Sequence, residues 1–566
     1  MSTVTPPVGE RGAVAVLVAV ALVPILFGAA VLGVDLARLQ LAAQDAQRAA
    51  DAAALAGVIH LPGDPSTAVQ VAAQAAAANG IAADQVTSAP VPGAPTRLQV
   101  KVSGVVRNAF AGLFGVPELQ FTRRAAADFA RPLVLGSPCN VIGNEDMPAA
   151  GGGPDQQPVG VGACAAVTGR SWAGIMGPDT NKEAGDAVAS RWCVWGPGDT
   201  RPDGCSAAGF GPRPPGSNLE YRPGGYTYVV RVTRPGILRL QGYDLGWVAT
   251  GSFCEGVRDG SGHLVNPLIA ASAVRSNEYV TTVGPGGNPR YAPGSGPFCA
   301  GDTHAWYPYA DSSEAGLAMT TTFQPLRPAP SPWSETGGAP LCPATTLAGY
   351  SGLSVDLAAM LRPGAGGAAG AALRRTFHRW ADLCPAVQVQ PGDYTVKVRT
   401  GPGGGSNRFA LRAWLAGQSG GVAVMASQRM QVFANMPAGG FEFHAVRLDS
   451  SAAGRTLEVG VFDLGDALSA MRVELLAPDA YRPIESCEVL GAVQMRASPC
   501  SVTTTRSVSN ARWIRFRFTM PRGYRCRDDT EPSACWLRAR ITAPAAQADT
   551  TTWVATMVGD PVRLVN

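Results

Sequence analysis

Residues 13–34 read AVAVLVAVALVPILFGAAVLGV, 22 positions without a charge. As a helix rising ~1.5 Å per residue, this run would be about 33 Å long, enough to cross a hydrocarbon core of about 30 Å. No later stretch is as long and as apolar. The run does not end at Asp35. LARLQLAAQDAQRAADAAALAG continues to Gly57 with no Pro and no internal Gly, in residues that favour helix. Gln40, Gln44, Gln47 and Asp51 recur on one face; Leu36, Leu39, Ala43, Ala46, Ala50 and Ala53 form a small-residue face beside it. The pattern predicts one helix of about 40 residues that starts in a membrane and projects out of it. A cleaved signal peptide is the competing reading, but its apolar region is usually about 7–15 residues and leads to a small-residue cleavage site, not to more helix.

This N-terminal pattern resembles that of the TadE/TadG-like proteins of Flp (tight adherence) pilus assembly. The resemblance rests on Glu10-Arg11-Gly12, the apolar span, Asp35 with Arg38 after it, and the block Asp51-Ala52-Ala53-Ala54-Leu55-Ala56-Gly57. It covers about the first 60 residues. It implies a single-pass membrane protein with a pilin-like helix and a large extracytoplasmic part that serves pilus assembly or anchoring. Gly12, Asp35, Asp51, Ala54 and Leu55 are the positions that match the family pattern. Two features depart from related patterns. Type IV prepilins carry Glu five residues past the cleavage Gly, where this chain has Leu17 after Gly12 and Val14 after Gly9. The DxSxS metal motif of a von Willebrand A domain, found in some longer relatives, is absent; Asp311-Ser312-Ser313 and Asp449-Ser450-Ser451 have the wrong spacing.

A chain of 566 residues is too long for one core. Its 46 basic and 42 acidic residues leave a net charge of +4, with no basic stripe to suggest a nucleic-acid partner. Gly and Pro make about a fifth of the chain, well above the usual ~12%, which suits turn-rich β domains. All 12 Cys lie beyond residue 138, an even number confined to the body, as expected for disulfides in an oxidising compartment. Cys193 with Cys205 and Cys526 with Cys535 are candidate short-range pairs. No C-x-x-C occurs, which argues against zinc. Charges flanking the anchor nearly balance, so the Cys distribution and the short N-terminal tail set the expected orientation: N-terminus inside, body outside.

The expected organisation is a tail over 1–12, a transmembrane helix over 13–34, a pilin-like helix and small α/β head over 35–132 and a linker over 133–160. Two β-sandwich repeats follow, over 161–402 and 403–566. Within the head, Ser66 would cap a second helix ending near Asn79; 88–95 reads as a Pro-rich loop; strands follow near 97–103 and 119–129, with a short helix over 108–114 between them. The fold class is therefore α+β multidomain: a long pilin-like helix with a small β head, then two mostly-β sandwiches of jelly-roll or Greek-key kind. The repeat is read from Tyr226–Val232 and Gly236–Gly246 against Phe441–Leu448 and Gly454–Gly465, from 320–328 against Trp513–Pro521, and from Pro391–Arg399 against Arg522–Arg540. An insertion near 329–385 would hold a short helix over Ala371–Leu383.

Candidate chemistry is sparse. Gly417-Gln418-Ser419-Gly420-Gly421 matches G-x-S-x-G, but strand-like sequence follows it where a nucleophile elbow needs a helix, so it reads as a hairpin turn. Asp244 and Asp463 share an aromatic-Asp-Leu-Gly sequence; they read as turn residues, with calcium ligation as the alternative, and the acidic loop with Asp528 and Asp529 is a weaker calcium candidate. The five His are scattered, and GPGGGSN over 401–407 lacks the Lys and the helix of a phosphate loop. Trp306-Tyr307-Pro308-Tyr309 could stack on a sugar ring or pack in a loop. No catalytic residue and no cofactor is expected. Ala29 and Gly33 would allow close helix approach in the bilayer. The expected partners are the lipid bilayer and pilin-like subunits or pilus-assembly membrane proteins. A surface adhesin that binds glycans, or an exported hydrolase, would be the alternative.

Overall fold

The computed structural model describes residues 10–61, 65–92, 94–143, 170–193, 202–206, 216–248, 302, 319–329, 337–350, 364–376, 380–436, 440–464, 470–478, 482–527, 534–544, 547–559 and 562–565. They form two compact units, one of residues 1–130 with 560–566, the other of 131–559.

The first unit is built on helix α1, Glu10–Val58. Ala46, Ala50, Ala53, Ala54 and Val58 recur at helical spacing and are fully buried. They meet Leu98, Val100 and Val102, which alternate on one face of strand β2 (Ala94–Arg107), and Ala125, Ala127 and Phe129 of strand β3 (Glu118–Phe129). Helix α2, Pro65–Ala78, adds Ala68, Ala72 and Ala76 to the same core. It begins at Pro65, so Ser66 stands in its first turn and not at its cap; Pro suits the first helical position because its missing N–H would have no partner there. Gly80, at φ +83°, ends it.

Small side chains let the helices come close. At Gly57 a Cβ would fall 2.5 Å from the Ala68 carbonyl oxygen and 2.6 Å from Leu98. The stretch read as a Pro-rich loop is instead strand β1, Val86–Val91, paired with β2. It is an edge strand, where Pro90 costs no ladder bond on its open side. The sheet runs β1–β2–β3 and closes with the C-terminal strand Val562–Val565, which pairs Leu564 with Ala127. The last residues thus belong to the head and not to a second sandwich.

The second unit is a pair of large antiparallel sheets. One holds ten strands in the order Thr345–Ala348, Thr320–Leu326, Gly392–Thr400, Tyr226–Val232, Val422–Ser427, Val134–Gly136, Phe441–Arg447, Trp536–Thr542, Met471–Leu476 and Ser501–Thr504. The other holds twelve, with Gly236–Tyr243, Ser406–Leu415, Arg170–Met176, Arg429–Met436, Gln547–Met557, Thr456–Phe462 and Trp513–Thr519 consecutive in its middle. Their inner faces share one core: Phe409 stands edge-on to Phe323 at 5.1 Å and to Tyr228 at 5.7 Å, and Phe443 to Trp553 at 4.8 Å.

The internal repeat is visible in the order of strands. Tyr226–Val232 and Phe441–Arg447 lie in the ten-stranded sheet, and their successors Gly236–Tyr243 and Thr456–Phe462 cross to the other. Gly392–Thr400 and Trp536–Thr542 occupy matching places beside them. The proposed match of 320–328 with Trp513–Pro521 does not hold: Thr320–Leu326 is in the ten-stranded sheet and Trp513–Thr519 in the twelve-stranded one. Similar alternation of apolar and polar residues produced the match, because both segments are half-buried strands.

Nor do the repeats separate at residue 402. Ser406–Leu415 pairs with Gly236–Tyr243 and Arg170–Met176 of the first half, and the crossing comes after Leu415. There Val422–Ser427 pairs with Tyr226–Val232, while Val134–Gly136, from the stretch read as a linker, pairs with Phe441–Arg447. Each half therefore lends its opening strand to the other, and hydrogen-bonded sheet runs unbroken through both. The short helix of the insertion spans Gly367–Thr376, earlier than expected. Among the described residues, disulfides join Cys193 to Cys205, Cys342 to Cys384, Cys487 to Cys500 and Cys526 to Cys535. The first and last are the two pairs that short spacing suggested.

Candidate functional site

The feature of the first unit that its own core does not use is the N-terminal half of α1. From Ala43 onward the helix buries one face; before that, Asp35 is the one buried side chain among those described. Leu17 is 69% exposed, Val20 66%, Val23 62% and Leu32 61%. Among the described residues no helix is long and apolar enough to cross a membrane; the side chains of 10–14, 24–27 and 29–31 lie outside those described. Ala29 is one of them. Gly33 is exposed, with open space where a Cβ would stand, so its face of the helix is free for close approach.

Asp35 marks the point where the free half meets the head. Its side chain is buried, and its carboxylate accepts the amides of Ala109 at 2.7 Å, Phe110 at 3.0 Å and Ala111 at 2.7 Å. These three belong to the β2–β3 loop, which turns through a short 3₁₀ helix, Ala111–Phe114, and ends at Gly115 with φ +85°. Burial raises the carboxyl pKa, but the amide bonds from Ala111, Ala109 and Phe110, with the charge of Arg38, outweigh it and hold the group below the usual carboxylate range. A carboxylate in chain position 35 thus caps a helix more than 70 residues later. One turn after another, the same helix is tied to the sheet: Gln47 donates to Asp51 at 2.8 Å and to the Arg124 carbonyl at 3.1 Å. Ala54 is fully buried, and Leu55 packs against the same core.

In the second unit, Asp244 and Asp463 both adopt left-handed backbone, at φ 52° and 61°, directly after equivalent strands. Each follows a buried aromatic, Tyr243 or Phe462, and precedes a buried Leu. The Ala511 amide donates to the Asp463 carboxylate, and the Leu245 carbonyl accepts from Asn407 at 3.1 Å. Asp is among the residues that tolerate this conformation, and its side chain bonds nearby backbone. Five strand spacings separate the two positions, about 24 Å at ~4.8 Å each, so they do not meet. Among the described residues no three His, Cys, Asp or Glu side chains are grouped to hold a cation. Asp528 and Asp529 lie outside the described residues, as do Trp306, Tyr307, Pro308 and Tyr309.

The two Gly-rich motifs are structural. Gly417, Gly420 and Gly421 all take positive φ in the turn that leads from Ser406–Leu415 into Val422–Ser427. That turn joins strands of different sheets, so it is not a hairpin, and no helix follows Ser419. In GPGGGSN, the Gly403 amide donates to Asp179 at 2.7 Å and the Gly405 amide to Thr180 at 2.8 Å, so these donors are already engaged.

What sequence reasoning missed is the seat of the β2–β3 loop on Asp35. The sequence shows an uncharged decapeptide, Asn108–Pro117, between two strands, and an apolar run that ends just before Asp35, but no local pattern joins the two. No curated protein and no solved structure matches the chain. The segment that carries the free half of α1, Asp35 and the close approach at Gly57 does have a match: residues 12–60 fit the family described as putative Flp pilus-assembly TadE/G-like.

Proposed function

We propose that the chain is a membrane-anchored accessory or assembly protein of a Flp/Tad-type pilus. Residues 13–34 span the bilayer with the N-terminus inside, and the two-sheet body is displayed outside as a structural or binding platform. The observation that carries this reading is the exposed apolar half of α1. Leaving such side chains in water forgoes ~1.5–3 kcal/mol each, and the unit's own core covers none of Leu17, Val20 or Val23. A bilayer covers them, and Gly33 allows a pilin-like helix to pack alongside. The disulfides suit an oxidising exterior. The reading gives the chain no catalytic step.

The test is a deletion strain complemented with the full chain, either unchanged or carrying Leu17→Arg, Val20→Arg and Val23→Arg. Each Arg near mid-membrane costs about 2.5–3.5 kcal/mol of insertion. The expected result is that pili return only with the unchanged chain and that the triple variant leaves the membrane fraction. Normal piliation in the deletion strain would overturn the pilus role and bring forward a single-pass adhesin for surface glycans.

A further inference from the structure

We propose that the protein touches the bilayer at a second place: the β2–β3 loop, residues 108–117, sits in the boundary between lipid headgroups and acyl chains beside α1. This rests on the membrane reading of 13–34 and goes beyond it, because it concerns the head.

Three observations converge. The first is level. An apolar span over 13–34 reaches the edge of the hydrocarbon core at Asp35, and the Asp35 carboxylate holds the amides of Ala109, Phe110 and Ala111 at 2.7–3.0 Å. The loop is thereby fixed within hydrogen-bond reach of the point where α1 leaves the bilayer. The second is composition. Asn108–Pro117 reads NAFAGLFGVP, with no charge; within it Val116 is 44% exposed, and in the adjoining strand Val105 is 50% exposed. Single exposed valines are ordinary on a protein surface. An uncharged apolar loop tied to the exit of an anchor is not scattered surface.

The third is that much of the loop's backbone is bonded within the head. Asn108 donates its amide to the Pro117 carbonyl at 2.9 Å and its side-chain NH₂ to the Val116 carbonyl at 2.8 Å, and the Val116 amide reaches the Ala111 carbonyl at 3.1 Å. Asp35 takes the amides of Ala109, Phe110 and Ala111. Each backbone group bonded in this way lowers the penalty that bars open backbone from lipid. Arg38, exposed and adjacent to this level in sequence, suits lipid phosphates, while Arg107 pairs with Glu118 at 3.3 Å. The chemical class of the partner is a phospholipid surface, and Asp35 is the residue that positions the loop against it.

The experiment places a nitroxide on the full chain in phosphatidylcholine–phosphatidylglycerol nanodiscs and measures collision with oxygen and with a water-soluble nickel chelate. Among the described residues there is no free cysteine to compete for the label. Val116→Cys reports the loop and Val105→Cys the end of β2 beside it. Val20→Cys reports the anchor. Leu564→Cys, paired with Ala127, reports the opposite end of the same sheet, about 30 Å from the tip at ~3.3 Å per residue. The expected result is a several-fold loss of nickel collision at 116 and 105 relative to 564, short of the loss at 20. A lipid-buried label at 20 with labels at 116 and 105 as nickel-accessible as 564 would overturn the loop contact and leave the anchor standing. A nickel-accessible label at 20 would overturn the anchor and the loop contact together.

Discussion

The Asp35 carboxylate accepts the Ala111 amide at 2.7 Å, joining the end of the apolar run to the tip of a hairpin 76 residues later in the chain. With the bonds from Ala109 and Phe110, it makes Asp35 an acceptor of three amides at once, a role that needs both oxygens and a negative charge. Asparagine has one acceptor oxygen and would turn an NH₂ toward an N–H. Asp35→Asn is expected to speed hydrogen exchange of the 109–111 amides while leaving the Ala46–Val58 core intact. In the unchanged protein the folded carboxyl lies below its ordinary value of 3.8. The bonds are therefore fully present above that value and are lost as pH falls through the lowered one. Amide chemical shifts of 109–111 should titrate below pH 3.8 and lose that step in the variant.

Gly57 stands where α1 passes α2, with the Ala68 carbonyl oxygen 2.5 Å from where a Cβ would be. Backbone cannot yield as a flexible side chain would, so Gly57→Ala forces the helices apart. The cost of such overpacking is typically about 1–3 kcal/mol. Thermal unfolding of the full chain should show an earlier transition for the head. An unshifted head transition would mean that the contact relaxes without loss.

How much of this was legible in the sequence depends on the range of the interaction. The buried face of α1 follows from the spacing of Ala46, Ala50, Ala53 and Ala54, because a helix reports its packing within a few turns. The left-handed turns at Asp244 and Asp463 were visible as a repeated aromatic-Asp-Leu. Strand exchange between Val134–Gly136 and Val422–Ser427 was not, because a strand's alternation tells which face is buried and not which neighbour it finds. For the same reason Val562–Val565 read as part of a sandwich, when it closes the sheet of the head on a strand more than 430 residues back in the chain. Pro90 misled in a different way: Pro argues against a central strand, and β1 is an edge. The loop on Asp35 needed an acceptor and three donors far apart in sequence to be brought together, which no local pattern encodes.

The disulfides differ in the length of chain that they close. Cys342–Cys384 spans 42 residues and Cys526–Cys535 spans 9. If cross-links act by restricting the unfolded chain, the longer loop contributes about 4 kcal/mol and the shorter about 2.5 kcal/mol. Denaturant unfolding of the Cys342→Ala/Cys384→Ala protein should accordingly show the larger loss of midpoint, by about that difference. Equal losses would place the stabilisation in local packing and not in loop closure.

His444 gives the second unit an acid limit. It lies in the strand Phe441–Arg447, 2% exposed, edge-on to Trp536 at 5.7 Å and paired across the ladder with Arg538. Burial, with the Arg538 charge as the second cause, lowers its pKa from 6.5 to about 3. The folded state therefore holds the ring neutral, and the unfolded state takes up a proton more readily. The stability that this supplies is complete above pH 6.5 and is lost as pH falls from there toward 3. The whole window is worth at most about 5 kcal/mol at ~1.36 kcal/mol per pH unit. Arg538 also bonds Glu442 at 3.1 Å, and its guanidinium keeps its charge beside the ring throughout this window. A His444→Phe chain keeps an aromatic beside Trp536 and cannot take up the proton. Denaturant midpoints measured from pH 7 to pH 4 should fall steeply for the unchanged chain and more shallowly for His444→Phe. Parallel slopes would show that the ring is not what limits the body in acid, and would shift attention to the Glu442–Arg538–Arg540 cluster on the same strands.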